Sequence, residues 1–368
     1  MEDVFRFRDD LGPAKVIHIT ETHSGLRSVL VVDNVACGPA IGGVRMAPDV
    51  STEECFRLAR AMTLKNAAAG LRHGGGKAVI FADPRQPADG KQKLLRAFAG
   101  AIADVTDYIA GPDMGTDESC MAWVYDEIGR CVGLPAALGG IPLDEIGATG
   151  FGLAVATEVA KDFCDLDLEG ARVAVQGFGS VGRHAAHFLA EKGAVLVAAA
   201  DSQGTLVDPK GLDIAALIAL KRTGRPLADH GSGEKLSRDA IVGVDCDIWI
   251  PAARPDVIHK GNVDQLQAKL VVQGANIPVT PEAEAALHSR GVVTVPDFIA
   301  NAGGVICGAV EYRGGGQRQA FETIEEKVRQ NTRSVLEAAR AEGVQPRQAA
   351  DALARRRVAA AMQLRRWA

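Results

Sequence analysis

Residues 171–201 read ARVAVQGFGSVGRHAAHFLAEKGAVLVAAAD, and the second half of the chain is organised around them. The Val-containing run 171–176 has the composition of a strand. Gly177, Gly179 and Gly182 then complete a G-x-G-x-x-G, and the amphipathic stretch 180–192 reads as the helix that follows. Gly177 permits the tight turn. Gly179 lets backbone approach a pyrophosphate, whose charge rests at the helix N-terminus where Ser180 and Val181 lie, and Gly182 allows close packing of helix on strand. A second strand, 194–200, ends at Asp201, 19 residues after Gly182. A carboxylate there can accept hydrogen bonds from adenosine ribose hydroxyls and repel a 2′-phosphate, which favours NAD over NADP; the Ser202 hydroxyl argues the other way. The plainer reading is a Gly-rich turn in an α/β fold that binds something else.

Outward from this segment the pattern repeats. A helix is expected near 150–162, and further strands near 246–250, 269–273 and 292–295. Strands alternating with helices of this length imply βαβ units and a parallel sheet. The stretch 133–148, with two Pro and four Gly, marks a boundary, and the tail from about 319 to 364 reads as two helices broken near Gly343–Pro346. At 368 residues the chain suits two domains. The expected division is 1–143 and 144–310, with helices of 311–368 returning to the first.

The first domain carries three candidate catalytic groups. In STEECFRLARAMTLKNAAAGL (51–71), Ser51 and Glu54 have capping-box spacing, and Cys55, Leu58, Met62 and Lys65 fall on one helical face with Ala59 and Ala69 beside them. A lysine on a buried stripe either meets an anion or snorkels out at the stripe's edge. Gly74-Gly75-Gly76 precede Lys77 as a loop, with a strand expected at 78–81. The loop is no phosphate loop, because Leu71 and Ala78 stand where Gly and Ser or Thr are needed. Lys77 is then either a solvated turn lysine or, in a dry cleft, an acid–base group of lowered pKa. Asp113 follows a strand, 107–110, and reads as a catalytic carboxylate or as a turn former or cap.

Hydrophobic residues make up 47% and charged residues 24%, with a net charge of -5, so neither nucleic acid nor an anionic membrane is an expected partner. No apolar run approaches membrane-spanning length, and MEDVFRFRDD lacks the layout of a signal peptide. The seven cysteines, at 37, 55, 120, 131, 164, 246 and 307, form no C-x-x-C pair. Reduced thiols in a cytoplasmic protein are expected, with neither a disulfide framework nor a metal site.

Taken together, GPAIGGVRM (38–46), MTLKNAAAGLRHGGGKAVI (62–80), GPDMGTD (111–117), GATGFG (147–152), QGFGSVG (176–182), ADSQG (200–204), GAN (274–276) and PDFIANAGGVI (296–306) resemble the glutamate/leucine/phenylalanine/valine dehydrogenase family, in family order. The resemblance implies an α/β fold of two domains, an N-terminal substrate domain and a Rossmann-like doubly wound NAD-binding domain. It implies NAD-dependent, reversible oxidative deamination of an L-amino acid to a 2-oxo acid and ammonia, by a homo-oligomer. Lys65 would hold the substrate α-carboxylate, Lys77 the 2-oxo oxygen or attacking water, and Asp113 would shuttle protons. Thr149, Ala275 and Asn276 match positions near the nicotinamide and its ribose, and Asn301 matches one near the nicotinamide amide. Members acting on glutamate carry a lysine where this chain has Ile41, before Gly42 and Gly43, and a serine where it has Gly308, three residues after Val305. With Met62 these imply an apolar pocket of the leucine or valine type. Gly308 leaves room that also suits phenylalanine, while the glutamate-like second domain argues for an acidic substrate. An inactive dinucleotide-binding sensor is the reading of another class, and the presence of Lys65, Lys77 and Asp113 argues against it.

Overall fold

β-branched runs near the N-terminus build a sheet, and the glycines within it let its covering helix come close. The computed structural model describes residues 5–365. The strands of the first sheet are β1 (Lys15–Glu21), β2 (Leu26–Asn34), β3 (Ala40–Ala47), β4 (Gly74–Phe81) and β5 (Tyr108–Pro112), in the order β1-β2-β4-β3-β5. β2 is antiparallel to β1 and β4, whereas β3 is parallel to β4 and β5. Helix α1 (Thr52–Ala68) links β3 to β4, α2 (Ala88–Ala101) links β4 to β5, and α3 (Glu118–Ile128) follows β5.

Side chains alternate across these strands and sort into two faces. Leu30, Val32, Val44, Met46, Ala78, Ile80, Tyr108 and Ala110 pack with Leu95 and Phe98 of α2 and Met121 of α3. The opposite face, with Val29, Val31, Ala47 and Val79, packs on Cys55 and Ala59 of α1. Helix α1 lies chiefly over β2 and β4.

Two expectations change here. Gly74–Gly76 are not a loop: they are the first three residues of β4. A Cβ on Gly75 would stand 2.0 Å from the Thr63 backbone nitrogen of α1, and one on Gly76 would stand 2.9 Å from the Tyr108 ring. Glycine is present because helix and ring approach the strand too closely for any side chain. In α1 itself the buried line is Cys55, Ala59, Thr63 and Asn66, while Leu58, Met62 and Lys65 sit half-buried at its edge. Polar Thr63 and Asn66 occupy the centre because each has a partner: Thr63 Oγ1 donates to Asp33 at 2.6 Å, and Asn66 Nδ2 donates to the Gly74 carbonyl at 2.7 Å.

The second sheet is built from β6 (Arg172–Gln176), β7 (Val195–Ala200), β8 (Thr205–Val207), β9 (Glu234–Leu236), β10 (Ile248–Pro251), β11 (Leu270–Val272) and β12 (Val293–Val295), in the order β12-β11-β10-β6-β7-β8-β9. The run from β12 to β7 is parallel, and β8 and β9 extend it antiparallel. Its helices are α4 (Ala148–Ala160), α5 (Ser180–Ala190), α6 (Ile214–Arg222), α7 (Pro281–Ser289) and α8 (Asp297–Ala300). Strand order reverses between β6 and β10, the switch point where such sheets bind ligands. Three C-terminal helices follow: α9 (Gly303–Tyr312), α10 (Gln317–Glu342) and α11 (Pro346–Gln363).

The chain divides into two units, one comprising the chain up to Pro142 with Val305–Ala320 and from Asp351 onward, the other Leu143–Gly304 with Phe321–Ala350. The C-terminal helices are thus shared, in contrast to the expected return of all of 311–368 to the first unit. Residues 321–350 pack with the second, where Arg329 pairs with Glu158 at 2.9 Å and Arg347 with Glu284 at 2.7 Å and Asp297 at 2.9 Å.

Candidate active site

Strand alternation and parallel register place Ile41, Gly43 and Arg45 of β3, Gly75 and Lys77 of β4, and Ile109 and Gly111 of β5 on the α1-covered face. Lys77 is therefore a strand residue, 6% exposed, and not the solvated lysine of a turn. Its ammonium forms an ion pair with Oδ2 of Asp113, which follows β5 directly. Arg45 meets the same oxygen through Nε at 3.3 Å and Glu54 of α1 through Nη1 at 2.6 Å. Gly43 makes this convergence possible, since a Cβ there would stand 2.7 Å from Asp113 Cβ. Gly42, on the other face, accepts a 2.7 Å hydrogen bond from the Tyr108 hydroxyl through its carbonyl.

Asp113 is not a helix cap; Asp117 caps α3, accepting from Cys120 N at 3.0 Å. The Asp113 backbone is held by Thr116, whose hydroxyl accepts from Asp113 N at 3.0 Å and donates to the Val44 carbonyl at 2.8 Å. Burial pushes the Asp113 carboxyl up, but the Lys77 and Arg45 charges and the Lys77 hydrogen bond outweigh it and hold it below the usual carboxylate range. Glu54 fulfils only half of a capping box: its backbone N–H donates to Ser51 at 3.1 Å, but its side chain is taken by Arg45.

A carboxyl depressed on folding stabilises the fold above its ordinary pKa, and that contribution is lost as pH falls through the folded value. Asp113→Asn should lower the Tm at neutral pH, with the gap to wild type closing as pH falls below ~3.9. A pH-independent gap in thermal melts would show that the carboxylate charge is not the source.

The other first-unit candidates are placed by register and sequence. Ile41, 5% exposed, stands beside Gly75 and Ile109. Met62 and Lys65 flank Thr63, whose backbone rests against Gly75. Val305 and Gly308 lie on α9, where a Cβ on Gly308 would stand 3.5 Å from Val132 Cγ2.

In the second unit, Gly177 has φ +97° and a Cβ there would stand 2.6 Å from Ala253 Cβ; one on Gly182 would stand 1.9 Å from the Gly177 carbonyl oxygen. Gly179, in contrast, faces open space, and Ser180 and Val181 open α5 directly after it. The buried Gln176 Oε1 beside this turn has no hydrogen-bond partner. A cavity of about 300 Å³ is lined here by Gln176–Gly179, Asp201, Ser202, Lys221, Arg238, Ala253 and Arg254. A bare backbone turn, an open glycine, a helix N-terminus and an orphaned acceptor at the sheet's switch point fit a dinucleotide.

Asp201 follows β7 as expected, but its carboxylate is already engaged. It accepts from Lys221 Nζ at 2.8 Å, Leu227 N at 2.9 Å and Gln203 N at 2.9 Å. Burial opposes its ionisation, and these donors outweigh burial to keep the carboxyl below its usual range. Asn301 Nδ2 donates to the Gly274 carbonyl at 3.2 Å and to Asn276 Oδ1 at 3.1 Å, so Gly274, Ala275 and Asn276 form one cluster with it. Thr149, near the start of α4, is half-buried, its Oγ1 3.2 Å from where a Cβ on Gly304 would lie. Among the described residues no group of three or more His, Cys, Asp or Glu is placed to hold a metal. No described helix is long and apolar enough to cross a membrane.

Sequence reasoning missed Arg45 and Glu54 as site charges, and Lys221, Arg238 and Arg254 around the nucleotide cavity. Arg45 lies inside GPAIGGVRM, but its partner Asp113 is 68 residues away and nothing local couples them.

A dinucleotide cradle on one parallel sheet and a buried Lys–Asp pair on a second α/β unit define a nicotinamide-dependent oxidoreductase. The sequence matches Glutamate/Leucine/Phenylalanine/Valine dehydrogenase over residues 139–366 and the Glu/Leu/Phe/Val dehydrogenase dimerisation domain over 13–130, and the chain belongs to this family. It is an amino-acid dehydrogenase, acting on a CH–NH2 group with a nicotinamide cofactor. It is 39% identical to the glutamate dehydrogenase of Aeropyrum pernix over 357 residues, 91% of this chain and 85% of that protein. It is 38% identical to the NAD-specific glutamate dehydrogenase of Staphylococcus aureus over 319 residues, 83% of this chain and 76% of that protein. The hetero-hexameric glutamate dehydrogenase of Thermus thermophilus, solved in a Leu-bound form, superposes with a TM-score of 0.84 at 31% identity, covering 96% of this chain and 90% of that one.

Proposed function

We propose that this enzyme uses NAD to deaminate a branched-chain aliphatic L-amino acid, of the leucine or valine type, to its 2-oxo acid and ammonia, in a reversible reaction. Ile41 carries the reading. It is buried between Gly75 and Ile109 in register, on the same face as Lys77, where a glutamate side chain needs a cation. The nearby charges of Lys77 and Arg45 are spent on Asp113 and Glu54. Burying an acidic substrate's distal carboxylate beside Ile41 without a partner carries a large desolvation cost.

In this reading Lys65 pairs with the substrate α-carboxylate and Lys77 hydrogen-bonds the 2-oxo oxygen or the attacking water. Asp113, kept ionised by its contact with Lys77, takes up and returns the amino-group protons. When bound, NAD would supply the redox chemistry, as acceptor of the hydride lost from the substrate Cα. Water then adds to the resulting imine carbon, and the carbinolamine collapses to 2-oxo acid and ammonia. Gly177, Gly179 and Gly182 with Ser180 and Val181 would hold the pyrophosphate, Asp201 and Ser202 would border the adenosine ribose, and Thr149, Ala275, Asn276 and Asn301 would serve the nicotinamide end. NAD is favoured by the ionised Asp201 at the end of β7. The protein is proposed to work as a homo-oligomer, supported by its match to a dimerisation domain, and in the cytoplasm, supported by seven unbridged cysteines.

Glutamate is the second reading, favoured by the names of the relatives. Offering L-leucine, L-valine, L-phenylalanine and L-glutamate in parallel separates them. Reduction of NAD with leucine or valine and little with glutamate is expected. A preference for glutamate overturns the apolar-pocket reading, and silence with all four despite NAD binding points to the sensor.

A further inference from the structure

The loop 274–276 is anchored at both ends by contacts that lead to one arginine. Before the loop stands Gln273, buried, directly after β11. After it stands Ile277, whose backbone N–H donates to Asp297 Oδ2 at 2.8 Å. Asp297 opens α8 and is buried as well. Arg347, at the start of α11, reaches both side chains. Its Nη2 donates to Gln273 Oε1 at 2.8 Å, and its Nη1 pairs with Asp297 Oδ1 at 2.9 Å. Its Nε donates to the buried Glu284 of α7, at 2.7 Å to Oε2 and 2.8 Å to Oε1, and Gln273 Nε2 donates to that same Oε1 at 2.8 Å. The planar fork of the guanidinium thus places three nitrogens on three partners, which a lysine cannot do.

The loop needs such anchors. Ile277 has φ +44°, a left-handed backbone that a β-branched residue keeps only where its surroundings impose it. Two hydrogen bonds impose it here: the one to Asp297, and one from Asp256 N to the Ile277 carbonyl at 3.0 Å. At the other end Gly274 N and Ala275 N donate to the Pro251 carbonyl at 2.9 and 2.8 Å. Asn301 ties the two segments together. Its backbone N–H donates to the Asp297 carbonyl at 2.7 Å, its Nδ2 donates to Gly274 and Asn276, and its buried Oδ1 has no partner among the described residues. That oxygen is the acceptor left for an amide N–H of the nicotinamide.

We propose that Arg347 is a positioning residue for the cofactor: through Gln273 and Asp297 it fixes the 274–277 loop and Asn301, and so sets where the nicotinamide end rests. This rests on the reading that Asn276 and Asn301 serve that end. A cluster that only stabilised the fold would need no more than the pairs with Glu284 and Asp297; the contact with Gln273 is what adds the loop.

The test uses NADH and ADP-ribose, which lacks the nicotinamide, as ligands of wild type, Arg347→Met, Arg347→Lys and Gln273→Met in calorimetric titrations. It also measures kcat on whichever amino acid wild type turns over. Gln273→Met leaves both ion pairs of Arg347 in place, so it reports on the loop even if Arg347→Met does not fold. Both Met variants should bind ADP-ribose within about twofold of wild type and NADH about tenfold more weakly, the loss of roughly one hydrogen bond. Their kcat should fall on the order of 10–100-fold, since misplacing a reacting group by about 1 Å costs that much. Arg347→Lys should regain melting temperature more than kcat, because it restores a charge but not the three-way grip. Full recovery of kcat by lysine, or equal weakening of NADH and ADP-ribose, overturns the proposal. So does a lowered melting temperature with unchanged kcat and NADH affinity, the mark of a merely structural cluster. Wild type that binds neither ligand overturns the cofactor reading itself, and this inference with it.

Discussion

Lys77→Ala is expected to lower kcat about 10²–10⁴-fold, the range typical for loss of one general acid–base group. Lys77 is buried, ion-paired to Asp113 and carried on a central strand. The truncated site retains Arg45 beside the carboxylate, so what disappears is the proton-carrying ammonium more than the local positive charge. NAD binding should persist, because every candidate cofactor residue lies in the Leu143–Gly304 segment of the second unit. Fluorescence titration of NADH with wild type and variant separates the two effects. Lys77→Arg restores charge but not activity, because guanidinium does not release its proton near neutral pH. Normal turnover by Lys77→Ala would refute the assignment.

Gly75→Val is expected to cost about 3 kcal/mol or more, at the upper end for overpacking. The new Cβ would fall 2.0 Å from Thr63 N and 2.4 Å from Thr63 Oγ1. Neither can yield easily. The nitrogen is backbone within α1, and the hydroxyl donates to Asp33, which Arg60 also grips at 2.8 Å. Helix α1 would have to lift, taking Met62 and Lys65 with it, so activity should fall along with stability. Gly100→Ala on α2 is the control: nothing lies within 4 Å of its Cβ position, and alanine there should stabilise by roughly 0.5–1 kcal/mol. Urea unfolding of both variants decides. Equal, small effects would mean that the tight packing at Gly75 is not a constraint.

Glycines mark where sequence reading succeeds and where it stops. The segment around Gly177, Gly179 and Gly182 was legible almost to the residue, with β6, α5 and β7 at 172–176, 180–190 and 195–200 against expected bounds of 171–176, 180–192 and 194–200. Its geometry is set locally: the turn, the helix start and the strand all lie within one short run. The break between α10 and α11 was legible for the same reason, Gly343 having φ +66° and Pro346 beginning the next helix. Gly74–Gly76 were misread because their function is non-local. Glycine normally weakens a strand, and here it is required by a helix residue and a ring from other segments. β1 and β3 went unassigned, and β3 holds two glycines and an arginine that a propensity scale does not favour.

The site shows the same divide. Lys77 and Asp113 were singled out individually, but their contact, and the pull of Arg45 on the same oxygen, needed three parallel strands in register. Asp201 was placed correctly at the end of its strand, yet its engagement by Lys221 and Leu227 depends on α6 and the turn after it, 20 to 26 residues downstream.

The substrate is decided by one ratio, kcat/KM for L-leucine over kcat/KM for L-glutamate, read from NAD reduction by the wild-type enzyme. An unpaired buried charge costs about 3–5 kcal/mol, so the pocket around Ile41 predicts a ratio of roughly 100 or more in favour of leucine. A ratio below one would mean that a cation reaches the side-chain pocket after all, and would contradict the assignment of an aliphatic substrate.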